Sequence, residues 1–111
     1  MSLLGWIKRI RDGKEVARHV DRVVARYLGL VRESAIAKAA GMPRAEARGY
    51  VRVKAMAIIA PAVEKTDGRG EPVPMHLQTV VATLSVERLV LEVMRQLGHL
   101  QTAPATKRRA A

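Results

Sequence analysis

Three arginines at four-residue spacing are the residues in this chain best suited to bind a polyanion. Arg44, Arg48 and Arg52 come directly after residues 41–43, where a glycine and a proline are expected to separate two helices. Residues four apart share one side of an α-helix, so the spacing predicts three fixed positive charges on one helical face. Arginine can donate two hydrogen bonds to guanine or contact phosphates. The pattern fits a helix that reads nucleic acid, and it equally fits the solvated face of a helical hairpin.

The whole chain is strongly basic, which bounds the kinds of partner it attracts. Its 111 residues carry 20 Lys+Arg against 10 Asp+Glu, for a formal net charge of +10. Such a charge attracts nucleic acid, anionic lipid or an acidic protein. A genome of high GC content would enrich arginine in the same way without any partner, and charge alone does not specify a fold.

Composition excludes several kinds of functional site. The absence of cysteine rules out disulfides, thiolate nucleophiles and cysteine-based zinc sites. The three histidines share no metal-ligand spacing and are predicted at surface or rim positions. The acidic residues form no pair for acid–base catalysis, and no phosphate loop or dinucleotide fingerprint is present. We therefore predict no enzymatic activity and no cofactor, and an aromatic content of 3% disfavours base stacking on single strands.

Hydrophobic periodicity predicts an all-α protein: a compact bundle of three to four main helices with a short amphipathic N-terminal helix. Residues 1–13 form that amphipathic segment, which Asp12 and Gly13 end. Residues 14–100 form a single helical domain with a loop at 66–74. Residues 101–111 lack periodicity and are predicted to form a disordered basic tail.

Capping and breaking residues subdivide the helical domain. The first long helix starts near residue 14 and either continues to residue 40 or bends near residues 32–34. Pro61 is expected to kink or end the second helix, which runs from about residue 43 to about residue 65. In the last helical region, from about residue 75 to residue 97, Ser85 is a candidate N-cap and Gly98 the stop.

The termini of the chain bear on its location. No apolar run is long enough to span a membrane, and the N-terminus has its charges after its apolar residues, the reverse of a secretory signal. We therefore expect a cytoplasmic protein. The segment around Trp6 is small, amphipathic and basic, but its apolar residues are expected to cap the bundle, so a membrane surface is disfavoured as a partner.

Residues 36–51 resemble the helix-turn-helix of bacterial transcription regulators of the tetracycline-repressor type. The resemblance rests on the sequence Ile36-Ala37-Lys38-Ala39-Ala40-Gly41-Met42, followed by Pro43, Arg44 and Tyr50. In that family an alanine packs against the recognition helix, a glycine makes the turn, an apolar residue follows it, and a tyrosine lies late in the recognition helix. Those roles fall on Ala37, Gly41, Met42 and Tyr50. The resemblance implies that Arg44 and Arg48 face the bases.

Two functions stay open on the sequence alone. The leading prediction is a small DNA-binding or DNA-associated protein. Its predicted contacts with duplex DNA are Arg44, Arg48, Arg52, Lys38, Lys54, Arg18, Arg22 and Arg26. The alternative is a non-catalytic helical-bundle interaction module that docks an acidic or helical protein partner. In that case residues 41–43 are the turn of a plain hairpin, and its alanines together with Gly49 let two helices approach closely. A homodimer is compatible with either function.

Overall fold

The computed structural model describes residues 3–65 and 70–110, with side chains described as far as Gly98. Within these residues the chain forms three α-helices and no strand: α1 is Leu3–Ala39, α2 is Arg44–Lys65 and α3 is Gln78–Ala110. A 3-10 turn, Met75–Leu77, precedes α3. Each α-helix packs against the other two. The all-α prediction is confirmed.

The three helices run up, down and up along one axis. Polar contacts fix the direction of α3 relative to α1, because Asp21 pairs with Arg88 and Arg32 lies 3.4 Å from Gln96 farther along both helices. Helix α2 runs the opposite way. The principal extents of 63 × 28 × 21 Å describe a rod, not the compact bundle that the sequence predicts. A helix of 37 residues is about 55 Å long, so α1 alone accounts for most of that length.

Helix α1 passes without interruption through the break predicted at Asp12 and Gly13. An interior glycine costs about 1 kcal/mol relative to alanine, which weakens a helix but does not end it unless the backbone turns left-handed. Gly70 is the only described glycine with positive φ, at 84°. Of the two alternatives at residues 32–34, the helix continues, to Ala39, and Ser34 does not begin a separate helix: its hydroxyl donates to the carbonyl of Leu30 one turn earlier. The N-terminal segment is therefore part of α1 and not a separate helix.

The core is built almost entirely from valine, leucine and alanine. In α2 every fourth residue is buried, namely Ala47, Val51, Ala55, Ile59 and Val63. Ala35 and Ala39 of α1 are buried near the same end of the rod as Ala47. These small side chains let α1 and α2 approach closely beside their turn. Gly49, by contrast, is exposed and has nothing within 4 Å of an added Cβ, so it plays no part in that approach.

The end of α2 lies at the predicted residue, whereas the helix start predicted at Ser85 is wrong. Pro61 lies inside α2 and does not end it, and the helix continues to Lys65. Both Pro61 and Ala57, whose carbonyl loses its helical donor, are exposed, so water can satisfy that carbonyl. Ser85 is not an N-cap: it is fully buried in the middle of α3.

The end of α3 also differs from the prediction. The helix passes through Gly98, and its backbone continues to Ala110, across most of the stretch predicted as a disordered tail. The side chains beyond Gly98 lie outside the described residues. The predicted domain limits, including the independence of residues 101–111 from the core, stay predictions.

His19 is another residue whose position the sequence analysis misjudged. It is buried against the core, with its Nε2 3.8 Å from a carboxylate oxygen of Glu15, one turn earlier in α1. The prediction concerning membrane spans holds for the described residues, because none of their helices is long and apolar enough to cross a bilayer.

Candidate functional site

The residues predicted to bind DNA surround the turn between α1 and α2. The carbonyl of Pro43 accepts a hydrogen bond of 2.8 Å from the N–H of Ala47 and so begins α2. Gly41 donates to the carbonyl of Lys38 at 3.3 Å, and its φ is not positive. A Cβ added at Gly41 would meet only that carbonyl oxygen, at 3.8 Å. The turn therefore does not need the conformational freedom of a glycine.

The helices on either side of the turn are long. Helix α1 has 37 residues and α2 has 22, and they pack along each other. The helix-turn-helix resemblance implies that Ala37 packs against the second helix, but Ala37 is exposed, and Ala35 and Ala39 are the buried alanines. The packing beside this turn therefore differs from what the resemblance implies for Ala37.

Arg44 and Arg48 lie on the side of α2 that faces α3. Both are exposed, and no ion pair of either is found among the described residues. They line an open cleft of about 480 Å³ between the two helices, here called the α2–α3 cleft. Its other lining residues are Val90, Leu91, Glu92, Met94 and Arg95. Since Arg95 is already 2.6 Å from Glu92, the two α2 arginines leave the cleft with an excess of positive charge.

Arg52 follows one turn after Arg48 but is held in the structure. Its Nη2 lies 3.1 Å from Oε1 of Glu87 on α3, and both side chains are partly exposed. The pair links α2 to α3 across the seam between them. Of the three arginines at four-residue spacing, Arg44 and Arg48 are thus oriented toward the open cleft, whereas Arg52 is occupied by a carboxylate.

Lys38 and Lys54 are brought together by one aromatic ring. The Lys38 ammonium lies 5.6 Å from the centroid of the Tyr50 ring, and the Lys54 ammonium lies 5.5 Å from it. Each contact is a cation–π interaction, worth about 0.5–1 kcal/mol at an exposed site. Tyr50 is half-buried at the seam between α1 and α2, so it fixes the two cations beside the turn.

The α1 arginines predicted to contact phosphates lie elsewhere along the rod. Arg18 Nη2 is 3.2 Å from Oε1 of Glu71, and Arg22 pairs with the other oxygen of the same carboxylate. Arg26 is exposed. It is separated from Lys38 by about 18 Å along the helix axis, at 1.5 Å per residue. The predicted DNA contacts therefore form separate groups and not one continuous patch.

Sequence reasoning missed an apolar groove between α1 and α3. This α1–α3 groove has a volume of about 580 Å³. Its apolar lining residues are Gly13, Val16, Ala17, Val20, Leu77, Val80, Leu84 and Leu91. Only Asp12, Glu87 and Arg88 contribute charge to it. The groove is larger than the α2–α3 cleft and is lined mainly by apolar side chains.

Small residues on α1 and large residues on α3 create this groove. Gly13 and Ala17 leave space, and nothing lies within 4 Å of a Cβ added at Gly13. Opposite them, Val80, Leu84 and Leu91 remain 40–59% exposed instead of entering the core. A second apolar stripe on α3, in addition to the core stripe through Val81, was the signal in the sequence. A helix that is apolar over more than one face has more than one surface to cover.

The described side chains were also compared with the requirements of a metal site. Among them no three His, Asp or Glu residues are grouped so that they could hold a metal ion. The α2–α3 cleft and the α1–α3 groove are lined by aliphatic side chains and a few charged ones. The surface of the described residues presents apolar area and positive charge to a partner.

Comparison with known proteins adds no relative. Searches against protein-family models, curated proteins and solved structures found no match to this chain. The function has to be inferred from the surfaces described above.

Proposed function

We propose that this chain is a non-catalytic helical-bundle interaction module that docks a helix of a protein partner in the α1–α3 groove. The observation that carries the proposal is the row Val80, Leu84 and Leu91, which stays exposed beside a groove lined on its α1 side by Gly13 and Ala17. Exposed apolar patches with polar rims are typical of protein–protein contacts. Exposure of these apolar side chains to water is unfavourable in free energy, and a partner that buries them would remove that unfavourable exposure.

The dimensions of the groove suit an amphipathic helix. Val80 and Leu91 are separated by about 16 Å along α3, which is three helical turns. A partner helix with apolar residues at i, i+4, i+7 and i+11 presents a stripe of the same length. The open space over Gly13 and Ala17 can receive the larger side chains of that stripe.

The positive charge of the chain is expected to affect how fast and how selectively a partner associates more than how tightly it binds. The groove itself contains few charged residues, while the chain as a whole carries +10. A partner with acidic residues flanking its apolar stripe would therefore be attracted over a distance and would associate faster at low salt.

The test uses a photo-crosslinking amino acid at position 84 in cells that produce the protein. The control carries the same amino acid at position 53, because Val53 is 67% exposed on α2 but lies outside the groove. We expect a protein crosslinked from position 84 and not from position 53. With that protein purified, Leu84→Asp should weaken binding by about tenfold or more, and Val53→Asp should leave it nearly unchanged. Equal crosslinking from both positions would contradict the proposal.

Binding of duplex DNA is the second candidate function, favoured by Arg44, Arg48 and Arg26, which are exposed and have no ion pair among the described residues. In the helix-turn-helix interpretation Arg44 and Arg48 contact bases, and Lys38 and Lys54 contact phosphates next to the turn. The predicted contacts form several small clusters of positive charge, and such clusters also suit sequence-independent binding to the phosphates of duplex DNA.

Fluorescence anisotropy with labelled duplex DNA across a salt series tests this candidate. If it is correct, affinity falls steeply with salt, and Arg44→Ala or Arg48→Ala costs about 1–3 kcal/mol on a preferred sequence but less on random DNA. Arg32→Ala is the control, since Arg32 is exposed on α1 and outside the predicted contacts. Absence of binding at low salt would exclude the nucleic-acid function.

A further inference from the structure

The first turns of α1 extend beyond the rest of the bundle. Residues 3–12, here called the N-terminal extension, end where α1 begins to line the α1–α3 groove, at Asp12 and Gly13. The first buried residue of α1 is His19. At 1.5 Å per residue the extension is about 15 Å long. The apolar residues of this segment therefore do not cap the bundle, contrary to the sequence-based expectation.

The extension exposes large apolar side chains that the fold leaves uncovered. Leu3 is 70% exposed, Leu4 78% and Trp6 55%, and Ile7 and Ile10 are exposed as well. Leu3, Ile7 and Ile10 follow at steps of four and three, so they share one face of α1. Met75, 85% exposed, begins the 3-10 turn two residues before Leu77 and so lies near the base of the extension. Exposed apolar side chains of two elements thus lie toward this end of the rod.

The charges of the extension are all positive before Asp12. Lys8, Arg9 and Arg11 are its titratable side chains up to that residue, and they are exposed. The first turn of α1 contains no acidic residue, although the N-terminus of a helix favours a neighbouring negative charge. A helix with lysine and arginine on one side and leucine, isoleucine and tryptophan on the other binds the interface of an anionic bilayer.

We infer that the N-terminal extension binds the headgroup region of an anionic lipid bilayer, with Leu3, Ile7 and Ile10 entering the acyl boundary. Charge complementarity favours an anionic surface, because the extension has three cations, no anion before Asp12 and a chain of net charge +10 behind it. The exposed apolar face beside those cations favours a bilayer as that surface. Trp6 takes the position at the headgroup level that tryptophan favours at membrane interfaces. The inference does not depend on the α1–α3 groove.

The single tryptophan of the chain makes the test direct, because Trp6 reports only on the extension. The full chain is titrated with vesicles of equal parts phosphatidylglycerol and phosphatidylcholine, and separately with pure phosphatidylcholine. We expect the Trp6 emission to shift to shorter wavelength with the anionic vesicles only, and the shift to be reversed by high salt. An unchanged spectrum, or an equal shift with neutral vesicles, would overturn the inference.

Two matched pairs of variants locate the contact. Ile7→Asp should weaken vesicle binding by about tenfold or more, since it removes a large apolar side chain from the acyl boundary, whereas Val53→Asp makes the same change of charge on α2 and should have little effect. Lys8→Gln should weaken binding by about fivefold, and Arg48→Gln much less. If the two variants of either pair lost vesicle binding equally, the binding would reflect only the overall charge of the chain, and the inference would be overturned.

A final comparison separates lipid from protein as the occupant. Ile7→Asp replaces an exposed residue, so circular dichroism should find the helical content and melting temperature unchanged. If Ile7→Asp instead changes the molar mass of the chain in solution by light scattering and leaves vesicle binding intact, the extension is a contact between protein copies and the lipid assignment is wrong.

Discussion

The orientation of α2 about its own axis can be tested by one substitution made at two adjacent positions. Ile59 has no exposed surface and is among the largest fully buried side chains, whereas its neighbour Ile58 is only partly buried at the edge of the core. Ile59→Ala removes three buried carbon atoms and leaves a cavity between tightly packed helices, which costs about 2–5 kcal/mol. Ile58→Ala makes the same chemical change where water already reaches part of the side chain and leaves no closed cavity, so its cost should be smaller, about 1–2 kcal/mol.

The assay is urea unfolding of both variants, followed by circular dichroism and compared with the unaltered chain. With roughly 4 °C of melting temperature per kcal/mol for a domain of this size, Ile59→Ala should also lower the melting temperature by about 8–20 °C. The m-value should stay the same if both variants unfold from the same native state. Equal losses at the two positions, or a larger loss for Ile58→Ala, would mean that α2 is rotated relative to the core and that the buried row Ala47 to Val63 is misassigned.

Three further predictions follow from single side chains. The Ser85 hydroxyl is fully buried with no hydrogen-bond partner among the described atoms, so Ser85→Ala should raise the free energy of unfolding by about 1 kcal/mol, and a loss in urea unfolding would contradict this. Gly41→Ala should raise it by about 0.4–1 kcal/mol, because the turn needs no positive φ there; strong destabilisation would refute that geometry. Tyr50→Leu should lower it by about 1 kcal/mol through loss of two cation–π contacts, and repeating it in a background with Lys38→Gln and Lys54→Gln should remove most of that cost.

The sequence predicted the parts of the fold that depend on local signals. The apolar period of 3.6 residues marked the helices, and the glycine and proline near residue 42 located the α1–α2 turn within a residue or two. These features depend on hydrogen bonding and backbone freedom within a few residues, so they can be read without knowledge of the fold.

Boundaries that depend on tertiary packing were not predictable in this way. Gly13, Ser85 and Gly98 have the residue types that end or cap helices, yet each lies inside one. Packing along a rod stabilises a continuous helix by more than the cost of about 1 kcal/mol at one weak position. Local propensity gives the cost at such a position, but it gives no measure of the packing that offsets it.

The candidate sites also divide into features that local sequence predicts and features that only the folded chain creates. The arginines at four-residue spacing were identified correctly as sharing a helix, but their partners were not, because Glu87 and Glu71 approach Arg52, Arg18 and Arg22 only in the folded chain. The α1–α3 groove requires two helices to be placed side by side before its gap exists. An excess of apolar residues on α3 indicated that some surface was left to cover, but not where it lay.

Hydrogen exchange of the full chain, alone and with the protein crosslinked from position 84, tests the central proposal most directly. The groove-docking proposal predicts slower exchange on binding in residues 13–20 of α1 and 80–91 of α3, with little change around Arg44 and Arg48. Slower exchange confined to residues 38–54 would contradict it and would move the binding surface to the turn between α1 and α2.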